Sequence, residues 1–534
     1  MIADNQIPAL LSEGIREDSL RYYLENLVAY RNRNTVSDDS LRPDEGIRGA
    51  RSWIRTQLDR WAQRPGSSLI TSEFDFDFLM CQKLRHRQLF AVIPGTGPLR
   101  SEAVIVEAHL DSRCENLCDP DCLAEGADDN GSGSVLLMEL ARVLSEVSIN
   151  RTLVLLWVTG EEQGLGGSRS FATWCKQNGI QLKAVFNNDI VGGIECGLTS
   201  SPPGCPGPNQ FDSLRFRIFS AGNTNSMHKN LARQTRILVE EKLHKANLPA
   251  PQIDVMFGED RSGRGSDHIS FREQGYTALR FTSSYEHGDG NPSQPGYSDR
   301  QHSTRDVLGK DIDGDGDLDS FYVHFNYLKN NAVVNALSAV NSGSTTLNPM
   351  TMKVTPGAQT IDLEIENPQQ AVRFIFGIRK INMAYFDTLV FSDLPYLTLT
   401  GLTPTQYYVT ACGVDSAGWI GMFGPEYNVR VLSGVVETDI RPAIELLQNQ
   451  PNPFDEQTLI PIVVNDASQV KEARLEVHAG DGRLVKSLDL ELHSGLNEVL
   501  YDLSWQNYEC GLFYYSLKIN GRVLATRTML LIQY

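Results

Sequence analysis

The chain has 534 residues, of which 41% are apolar and 21% are charged, and its formal net charge is −18. This length exceeds what one hydrophobic core supports, so about two to four domains are expected, and the apolar fraction excludes a disordered chain. The negative charge argues against nucleic-acid binding, which needs clustered Lys and Arg. No stretch of about eighteen apolar residues is present, so no transmembrane segment is predicted.

Strand and helix patterns alternate through residues 1–345, which we predict to form one domain. Helices are predicted at 46–63, 134–145, 168–177 and 327–340, and strands at 90–94, 103–108, 152–158 and 183–189. Several of these strands are almost entirely apolar. Continuous apolar strands between helices indicate an α/β fold, in which a mixed central sheet is covered by helices on both faces.

Five polar sequence pieces follow one another in this domain. His109 lies in V-E-A-H-L-D-S, Asp129 in G-A-D-D-N-G, Glu161 and Glu162 in T-G-E-E-Q-G, Asp189 in F-N-N-D and His302 in H-S-T-R-D. They fall at predicted strand ends or in the loops that follow, where sites form in open α/β sheets. Imidazole and carboxylate bind Zn²⁺, so the pattern predicts two metal ions that share one carboxylate, with another carboxylate left to move a proton.

The N-terminal domain resembles the M28 family of zinc exopeptidases, the relatives of bacterial leucyl aminopeptidase, because all five pieces occur in the order that this family has. The resemblance implies that His109 and Asp189 bind one Zn²⁺, that Glu162 and His302 bind the other, and that Asp129 bridges the two. It also implies a cis peptide bond after Asp129.

The same resemblance implies roles for two further acids. Asp111 would lie behind the metals and orient His109. Glu161 would act as the general base, taking a proton from the water between the metals and giving it to the leaving amine. The implied enzyme is an aminopeptidase whose substrates are peptides with a free N-terminus, since the α-amine would lie against the remaining negative charge.

Three alternative functions stay open. Some carboxypeptidases on this scaffold carry a domain inserted between the ligands, but the gap from His109 to Asp129 is short. A glutaminyl cyclase is a one-zinc acyltransferase on a similar fold, and the retention of both His109 and Asp189 favours two metals over it. The third is a surface adhesion protein whose α/β domain has lost its catalytic activity.

Two other histidines compete with His302 for the last ligand position. In the family that ligand is followed by Ser or Thr and then by an Asp four positions on. His302-Ser303-x-x-Asp306 has this form and His287 does not. His268, in S-D-H, is interpreted as a structural or outer-shell residue.

An acidic segment, D-I-D-G-D-G-D-L-D, is a second candidate metal site. It could bind Ca²⁺ through Asp311, Asp313, Asp315 and Asp319, because its start is similar to an EF-hand loop. The twelfth position is Tyr322 rather than Glu, which excludes a true EF-hand. A solvated acidic turn is the alternative interpretation.

The pattern changes after N-S-G-S-T-T-L-N-P, which we interpret as a linker. Short alternating strands are predicted at 352–355, 361–365, 372–378, 396–400 and 407–414, as is typical of a β-sandwich. The Leu402-x-Pro404-x-x-x-Tyr408 motif and the V-D-S-A-G-W-I-G segment resemble a fibronectin type III domain. Residues 346–436 are therefore predicted to be such a domain, with Tyr408 as its corner tyrosine.

Residues 437–534 form a second predicted all-β domain. Its segments L-L-Q-N-Q-P-N-P-F-D-E-Q-T and G-L-F-Y-Y-S-L-K-I resemble the C-terminal sorting domain of the bacterial type IX secretion system. The resemblance implies recognition by the type IX machinery and a protein that is secreted or held at the cell surface. No signal peptide is visible, so we expect that a leader was removed. An ordinary β-sandwich is the alternative, and a monomer is the default expectation.

Nine cysteines leave at least one thiol without a partner in the chain. Cys196 and Cys205 flank a Ser/Pro/Gly loop and are placed for a local disulfide. Cys114, Cys118 and Cys122 crowd a short polar loop, but the C-x₂-C pair and the fourth ligand of a zinc knuckle are missing. Disulfides would indicate an oxidising compartment.

Overall fold

The structure is a computed structural model, and it describes residues 6–37, 45–199, 205–222, 225–261, 264–288, 290–431, 444–455, 457–502 and 511–532. The first eight strands are β1 (Ile70–Met80), β2 (Lys83–Ile93), β3 (Glu102–His109), β4 (Thr152–Val158), β5 (Gln181–Asn188), β6 (Arg215–Phe219), β7 (Gln252–Val255) and β8 (Ala278–Ser283). They form one mixed sheet in the order β1-β2-β4-β3-β5-β8-β6-β7. Strand β3 is parallel to β4 and β5, and β5 is parallel to β8.

The α-helices within the described ranges all belong to the first 345 residues. They are α1 (Ile7–Gly14), α2 (Glu17–Val28), α3 (Gly46–Ala62), α4 (Gly133–Leu144), α5 (Gly166–Gln177), α6 (Met227–Lys242), α7 (His268–Glu273) and α8 (Phe325–Ser344). A short hairpin, β9 (Gly309–Lys310) and β10 (Ser320–Phe321), lies between β8 and α8.

Apolar cores lie on both faces of the large sheet. Ile105 of β3 packs toward α5 and α7, whereas its neighbours Val104 and Val106 point to the opposite core, which contains α4 and α8. This alternation explains why the central strands are apolar at nearly every position. The predicted α/β fold, a mixed sheet with helices on both faces, is confirmed.

The middle segment, which we define as residues 346–431, contains two antiparallel sheets. Its strands are β11 (Met352–Gly357), β12 (Thr360–Ile365), β13 (Arg373–Lys380), β14 (Thr388–Ser392), β15 (Tyr396–Leu399), β16 (Gln406–Val414) and β17 (Tyr427–Arg430). One sheet has the order β11-β12-β15 and the other β14-β13-β16-β17. Leu363 of the first sheet shares an apolar core with Phe376 and Val409 of the second. All five strands predicted here are present, and β14 and β17 were not predicted.

The prediction for the corner tyrosine is wrong by one residue. Tyr407 turns into the core between the two sheets, and its hydroxyl donates to the carbonyl oxygen of Thr403 at 3.2 Å. Tyr408 faces the other way, with the Arg379 guanidinium 4.3 Å from its ring centre. Successive strand residues alternate between faces, so an error of one position exchanges the two roles.

The predicted linker at 341–349 is also wrong. Its first residues end α8, and Leu347 is buried in the core of the two middle sheets. The apolar core of the N-terminal domain continues across this junction and includes Ile375, Cys412 and Phe423. The two parts are therefore packed against each other rather than joined by a free tether.

A buried ionic cluster lies at the same junction. Glu426 accepts two hydrogen bonds from Arg379, from Nε at 2.6 Å and from Nη2 at 2.8 Å. Arg233 of α6 places its Nη1 2.9 Å from Glu426 Oε1, and all three side chains are at most 1% exposed. One carboxylate thus joins the N-terminal domain to the middle segment.

The C-terminal segment has two further antiparallel sheets. Its strands are β18 (Ile444–Leu446), β19 (Gln457–Val464), β20 (Ala473–Ala479), β21 (Leu484–Leu490), β22 (Gly495–Asp502), β23 (Gly511–Ile519) and β24 (Arg522–Leu531). The sheet orders are β18-β19-β22 and β21-β20-β23-β24, and side chains of both sheets share one core. The predicted boundary at 436/437 lies outside the described residues.

Disulfides occur between Cys81 and Cys118, between Cys114 and Cys122, and between Cys196 and Cys205. The expected local Cys196–Cys205 pair is therefore present. Cys114, Cys118 and Cys122 all form disulfides, so they are not arranged as a zinc knuckle. Cys175 and Cys412 are buried free thiols, and Cys510 lies outside the described residues.

None of the helices in the described residues has the length and apolar composition needed to cross a bilayer.

Candidate metal centre

The predicted ligands meet at the carboxyl edge of the large sheet. His109 is the last residue of β3, the Glu161–Glu162 pair follows β4, and Asp189 follows β5. Asp129 lies in the turn Ala127–Ser132, which leads into α4, and His302 lies in the long loop after β8. The carboxyl ends of neighbouring parallel strands lie at the same edge, which explains how residues far apart in sequence converge.

Asp129 lies at the centre of this cluster and faces two histidines. Its Oδ1 is 3.3 Å from His109 Nε2, and its Oδ2 is 3.1 Å from His302 Nε2. Asp189 Oδ1 is 3.5 Å from the same His109 nitrogen, and Glu162 Oε2 is 3.3 Å from the same His302 nitrogen. The five side chains thus form two groups that share Asp129. The Asp129–Asn130 peptide is cis, as the family resemblance implied.

These distances fit two divalent cations. Donors placed tetrahedrally at about 2.0–2.1 Å from Zn²⁺ lie roughly 3.3–3.4 Å from one another. The four donor–donor distances range from 3.1 to 3.5 Å. Potential ligand atoms of His109, Asp129 and Glu162 also lie within 4.8 Å of one another, as do those of His109, Glu161 and Asp189.

Both histidines are oriented by backbone carbonyls. His109 Nδ1 is 3.0 Å from the carbonyl oxygen of Asp111, and His302 Nδ1 is 2.6 Å from that of Gly290. A carbonyl oxygen only accepts, so Nδ1 carries a proton and Nε2 is the nitrogen that faces the carboxylates. Nε2 and a carboxylate oxygen at such distances need a proton or a metal ion between them, and a histidine whose Nδ1–H is held by a carbonyl oxygen is the arrangement found at metal sites.

The two glutamates occupy different sides of the cluster. Glu162 approaches His302 through Oε2, and its Oε1 is buried without a hydrogen-bond partner among the described residues. Glu161 lies beside His109 and Asp189. An unpartnered buried carboxylate oxygen is costly unless a cation satisfies it, so the donor set fits the predicted metals.

The cluster carries an excess of negative charge. Burial raises the pKa of Glu161 well above its usual range, and the carboxylates of Asp189 and Asp267 raise it further despite the opposing effect of His109. Burial alone would lower the pKa of His109, but Glu161, Asp129 and Asp189 outweigh it and raise that pKa. Bound divalent cations would offset this charge.

Comparison with known families agrees with this geometry. Residues 88–318 match the family model described as peptidase family M28. These residues are a peptidase family M28 domain. All five predicted ligands and Glu161 lie within the matched range.

Curated relatives align with this M28 domain and its surroundings. A probable zinc metalloprotease of Pyrenophora teres f. teres is 28% identical over 298 residues, which are 52% of this chain and 59% of that protein. A probable zinc metalloprotease of Pyricularia oryzae is 28% identical over 349 residues, which are 63% of this chain and 66% of that protein. The chain therefore spans less than two thirds of the length of each.

Solved structures show a more distant similarity. The LapA aminopeptidase of Legionella pneumophila has a TM-score of 0.44 and 20% identity, covering 65% of this chain and 76% of its own. Porphyromonas gingivalis glutaminyl cyclase has a TM-score of 0.41 and 15% identity, covering 61% of this chain and 97% of its own.

Asp111 supports the M28 site differently from the prediction. Its side chain is fully buried, but its carboxylate lies 3.9 Å from His109 Nδ1, farther than its own backbone carbonyl. The carboxylate instead accepts backbone N–H groups at Gly160 (2.8 Å), Glu161 (3.3 Å) and Glu162 (3.1 Å). Asp111 therefore orients His109 through its main chain and fixes the Glu161–Glu162 turn through its side chain.

Three other residues support the ligands of the M28 site. Asp306 accepts the backbone N–H of Asp129 at 2.9 Å, which explains the spacing of the H-S-T-R-D motif. Gln301 Nε2 lies 3.4 Å from Asp129 Oδ2, and Arg280 Nη2 lies 3.0 Å from Asp189 Oδ2. The sequence analysis missed Gln301 and Arg280. A charged residue inside the apolar strand A-L-R-F-T-S was the available signal for Arg280.

The competing histidines do not join the cluster. His287 Nδ1 accepts the backbone N–H of Arg300 at 2.9 Å and lies 3.8 Å from Asp299. His268 is buried at the start of α7, and burial lowers its pKa to about 4. Both positions agree with the structural roles expected for residues outside the ligand set.

The acidic segment forms an exposed turn between β9 and β10. Potential ligand atoms of Asp311, Asp313 and Asp315 lie within 4.8 Å of one another, and all three residues are exposed. Asp311 accepts backbone N–H groups at Gly314 and Gly316, and Asp319 accepts that of Ile312. These bonds are those of a solvated acidic turn, and calcium binding gains no support from them.

Proposed function

We propose that the chain is a two-zinc aminopeptidase that removes the N-terminal residue from peptides. The observation that carries this proposal is Asp129 placed between His109 and His302, one oxygen toward each, with Glu161 beside the shared centre. The M28 domain and the curated zinc metalloprotease relatives support it.

The chemistry follows from the positions of the side chains. Bound zinc would polarise the scissile carbonyl and lower the pKa of the attacking water. Glu161 is held by its backbone N–H to Asp111 and lies next to the cluster, where its carboxylate accepts the proton from that water. The same carboxyl group then donates the proton to the leaving amine, so the peptide C–N bond breaks to an amine and a carboxylate.

The charge of the site supports selection of a free N-terminus. Glu161 shares one buried space with Asp189 and Asp267, whose carboxylates, together with burial, raise its pKa. A substrate ammonium group placed there is attracted to the carboxylates, whereas an acetylated N-terminus carries no charge. The short connection between His109 and Asp129 leaves no inserted domain, which favours this activity over a carboxypeptidase.

The test is the release of amino acids from matched peptides with free and acetylated N-termini. We expect cleavage of the free peptide, almost complete loss on acetylation, loss on zinc chelation, and recovery when Zn²⁺ is restored. Equal cleavage of both peptides from the C-terminus would indicate a carboxypeptidase. Loss of ammonia from an N-terminal Gln without peptide cleavage would indicate a glutaminyl cyclase, and no reaction in a metal-loaded protein would favour a binding protein.

We propose in addition that residues 346–436 are a fibronectin type III-like β-sandwich. The strand orders β11-β12-β15 and β14-β13-β16-β17, the core between them, and the Tyr407 hydroxyl bond to Thr403 support this assignment. An experimental structure with a different strand order would contradict it.

We also propose that residues 437–534 are a type IX sorting domain and that the protein is secreted or cell-surface bound, acting as a monomer. The N-Q-P-N-P-F motif and the two antiparallel sheets support this. In a bacterium that has the type IX machinery, removal of residues 444–534 should stop export and leave the protein inside the outer membrane. Unchanged export of the shortened chain would contradict the proposal.

A further inference from the structure

A row of alternating buried charges runs from the metal centre into the domain. Its members, each at most 6% exposed, are in order Asp189, Arg280, Asp260, Arg261, Glu286 and Arg217. We call it the buried charge row. Buried charges are stable only when paired, and here each member has a neighbour of opposite sign.

Arg280 joins two acids in this row. Its Nη2 is 3.0 Å from Asp189 Oδ2, and its Nη1 is 2.6 Å from Asp260 Oδ2. Arg280 belongs to β8, which pairs directly with β5, the strand that ends before Asp189. The planar guanidinium presents its donors in a fixed fork, so both carboxylates are held at defined positions on a rigid sheet.

This contact divides the two oxygens of Asp189 between different partners. Oδ2 is engaged by Arg280, and Oδ1 faces His109 Nε2 at 3.5 Å. One oxygen is therefore left for a cation beside His109.

The carboxylate on the other side of the centre is held differently. Glu162 Oε2 is 3.3 Å from His302 Nε2, and Oε1 has no hydrogen-bond partner among the described residues. Among the described residues, the side chain of Arg280 forms ion pairs or hydrogen bonds with Asp189, Asp260 and the carbonyl oxygen of Gly265, and it forms neither with Glu162 or His302. The two sides of the centre are thus supported by separate parts of the fold.

We propose that Arg280 is a positioning residue for one of the two metal positions. It holds Asp189 so that a single oxygen reaches the cation beside His109, while the position at Glu162 and His302 does not depend on it. This inference rests on the proposed two-zinc centre. Removing a partner of a metal ligand usually weakens metal binding by about 10- to 100-fold, and here that loss falls on one of the two zinc equivalents.

The test is a Zn²⁺ titration of the metal-free full-length chain by calorimetry with a competing chelator. For Arg280→Gln we expect one of two equivalents to bind about 10- to 100-fold more weakly, with the other unchanged. Arg280→Lys keeps the positive charge but lacks the planar, forked guanidinium, so the loss of Zn²⁺ affinity in this variant should be smaller. Arg217→Gln is the matched control: it removes a buried arginine of the same row whose ion pair is with Glu286 at the far end, and both equivalents should bind as in the wild type.

Three outcomes would overturn the inference: unchanged binding in Arg280→Gln, equal weakening of both equivalents, or the same weakening in Arg217→Gln. If Arg280→Gln does not fold, Asp260→Asn removes the second partner of Arg280 and should weaken the same single equivalent. The test is separate from that of the proposed function. A wild-type chain that binds two equivalents but cleaves no peptide refutes the aminopeptidase and leaves the role of Arg280 standing. A wild-type chain that binds one equivalent refutes the two-zinc centre before any variant is compared.

Discussion

The Glu161→Gln variant will lose about 10²- to 10⁴-fold in kcat for the proposed N-terminal cleavage, which is the usual contribution of a general base. An amide cannot accept the proton of the attacking water, whereas its size matches that of the carboxylate. The backbone of residue 161 stays anchored on Asp111, and the ligands on both sides of Asp129 are unchanged. The metal content, measured by elemental analysis after dialysis, should therefore equal that of the wild type.

Glu162→Gln is the matched control for this variant. It changes the neighbouring residue in the same chemical way, but Glu162 is a candidate ligand that lies 3.3 Å from His302. We expect this variant to lose metal as well as activity. Wild-type activity in Glu161→Gln, or loss of metal equal to that of Glu162→Gln, would show that Glu161 is not the general base.

The Glu426→Gln variant will lower the free energy of unfolding by about 3–5 kcal/mol, the usual cost of removing one partner from a buried ion pair. Arg233 and Arg379 are at most 1% exposed and both face Glu426, so the substitution leaves two buried cations without their shared anion. Urea denaturation at neutral pH measures the loss. Glu25→Gln, which breaks the exposed pair with Arg21, should cost about 1 kcal/mol or less.

The stabilisation of the fold by ionised Glu426 depends on pH, and the pKa of Glu426 fixes the direction. Burial by itself raises the pKa of Glu426, but Arg233 and Arg379 more than reverse this and lower that pKa to about 2. Because the folded pKa lies below the unfolded value of about 4.3, the stabilisation is complete above that value and is lost as the pH falls toward about 2. Wild type and Glu426→Gln should therefore differ most near neutral pH and converge in acid. A constant difference down to pH 3 would contradict this assignment.

Much of the candidate site could be predicted because its residues stand in short polar pieces at the ends of apolar strands. His109 and Asp189 directly follow or end apolar strands, and the rule that parallel strands end at one edge predicts that they meet. The choice of Asp129 over Asp128 and of His302 over His287 relied on the family resemblance. Distinguishing Glu161 from Glu162 relied on a family resemblance, since adjacent identical residues carry no periodic signal.

The residues behind the ligands could not be predicted in the same way. Arg280 contacts Asp189 only because β8 pairs with β5, and strand order is not visible in local patterns. The side-chain role of Asp111 depends on where the turn after β4 places its N–H groups. Tyr407 and Tyr408 were exchanged because a strand pattern with apolar residues on both faces does not fix which of two neighbours points inward.

The apolar core that continues past α8 fixes the middle segment to the peptidase domain as one block. The middle segment and the M28 domain therefore share one hydrophobic interior, and neither part can unfold without exposing to water apolar side chains that the other part covers.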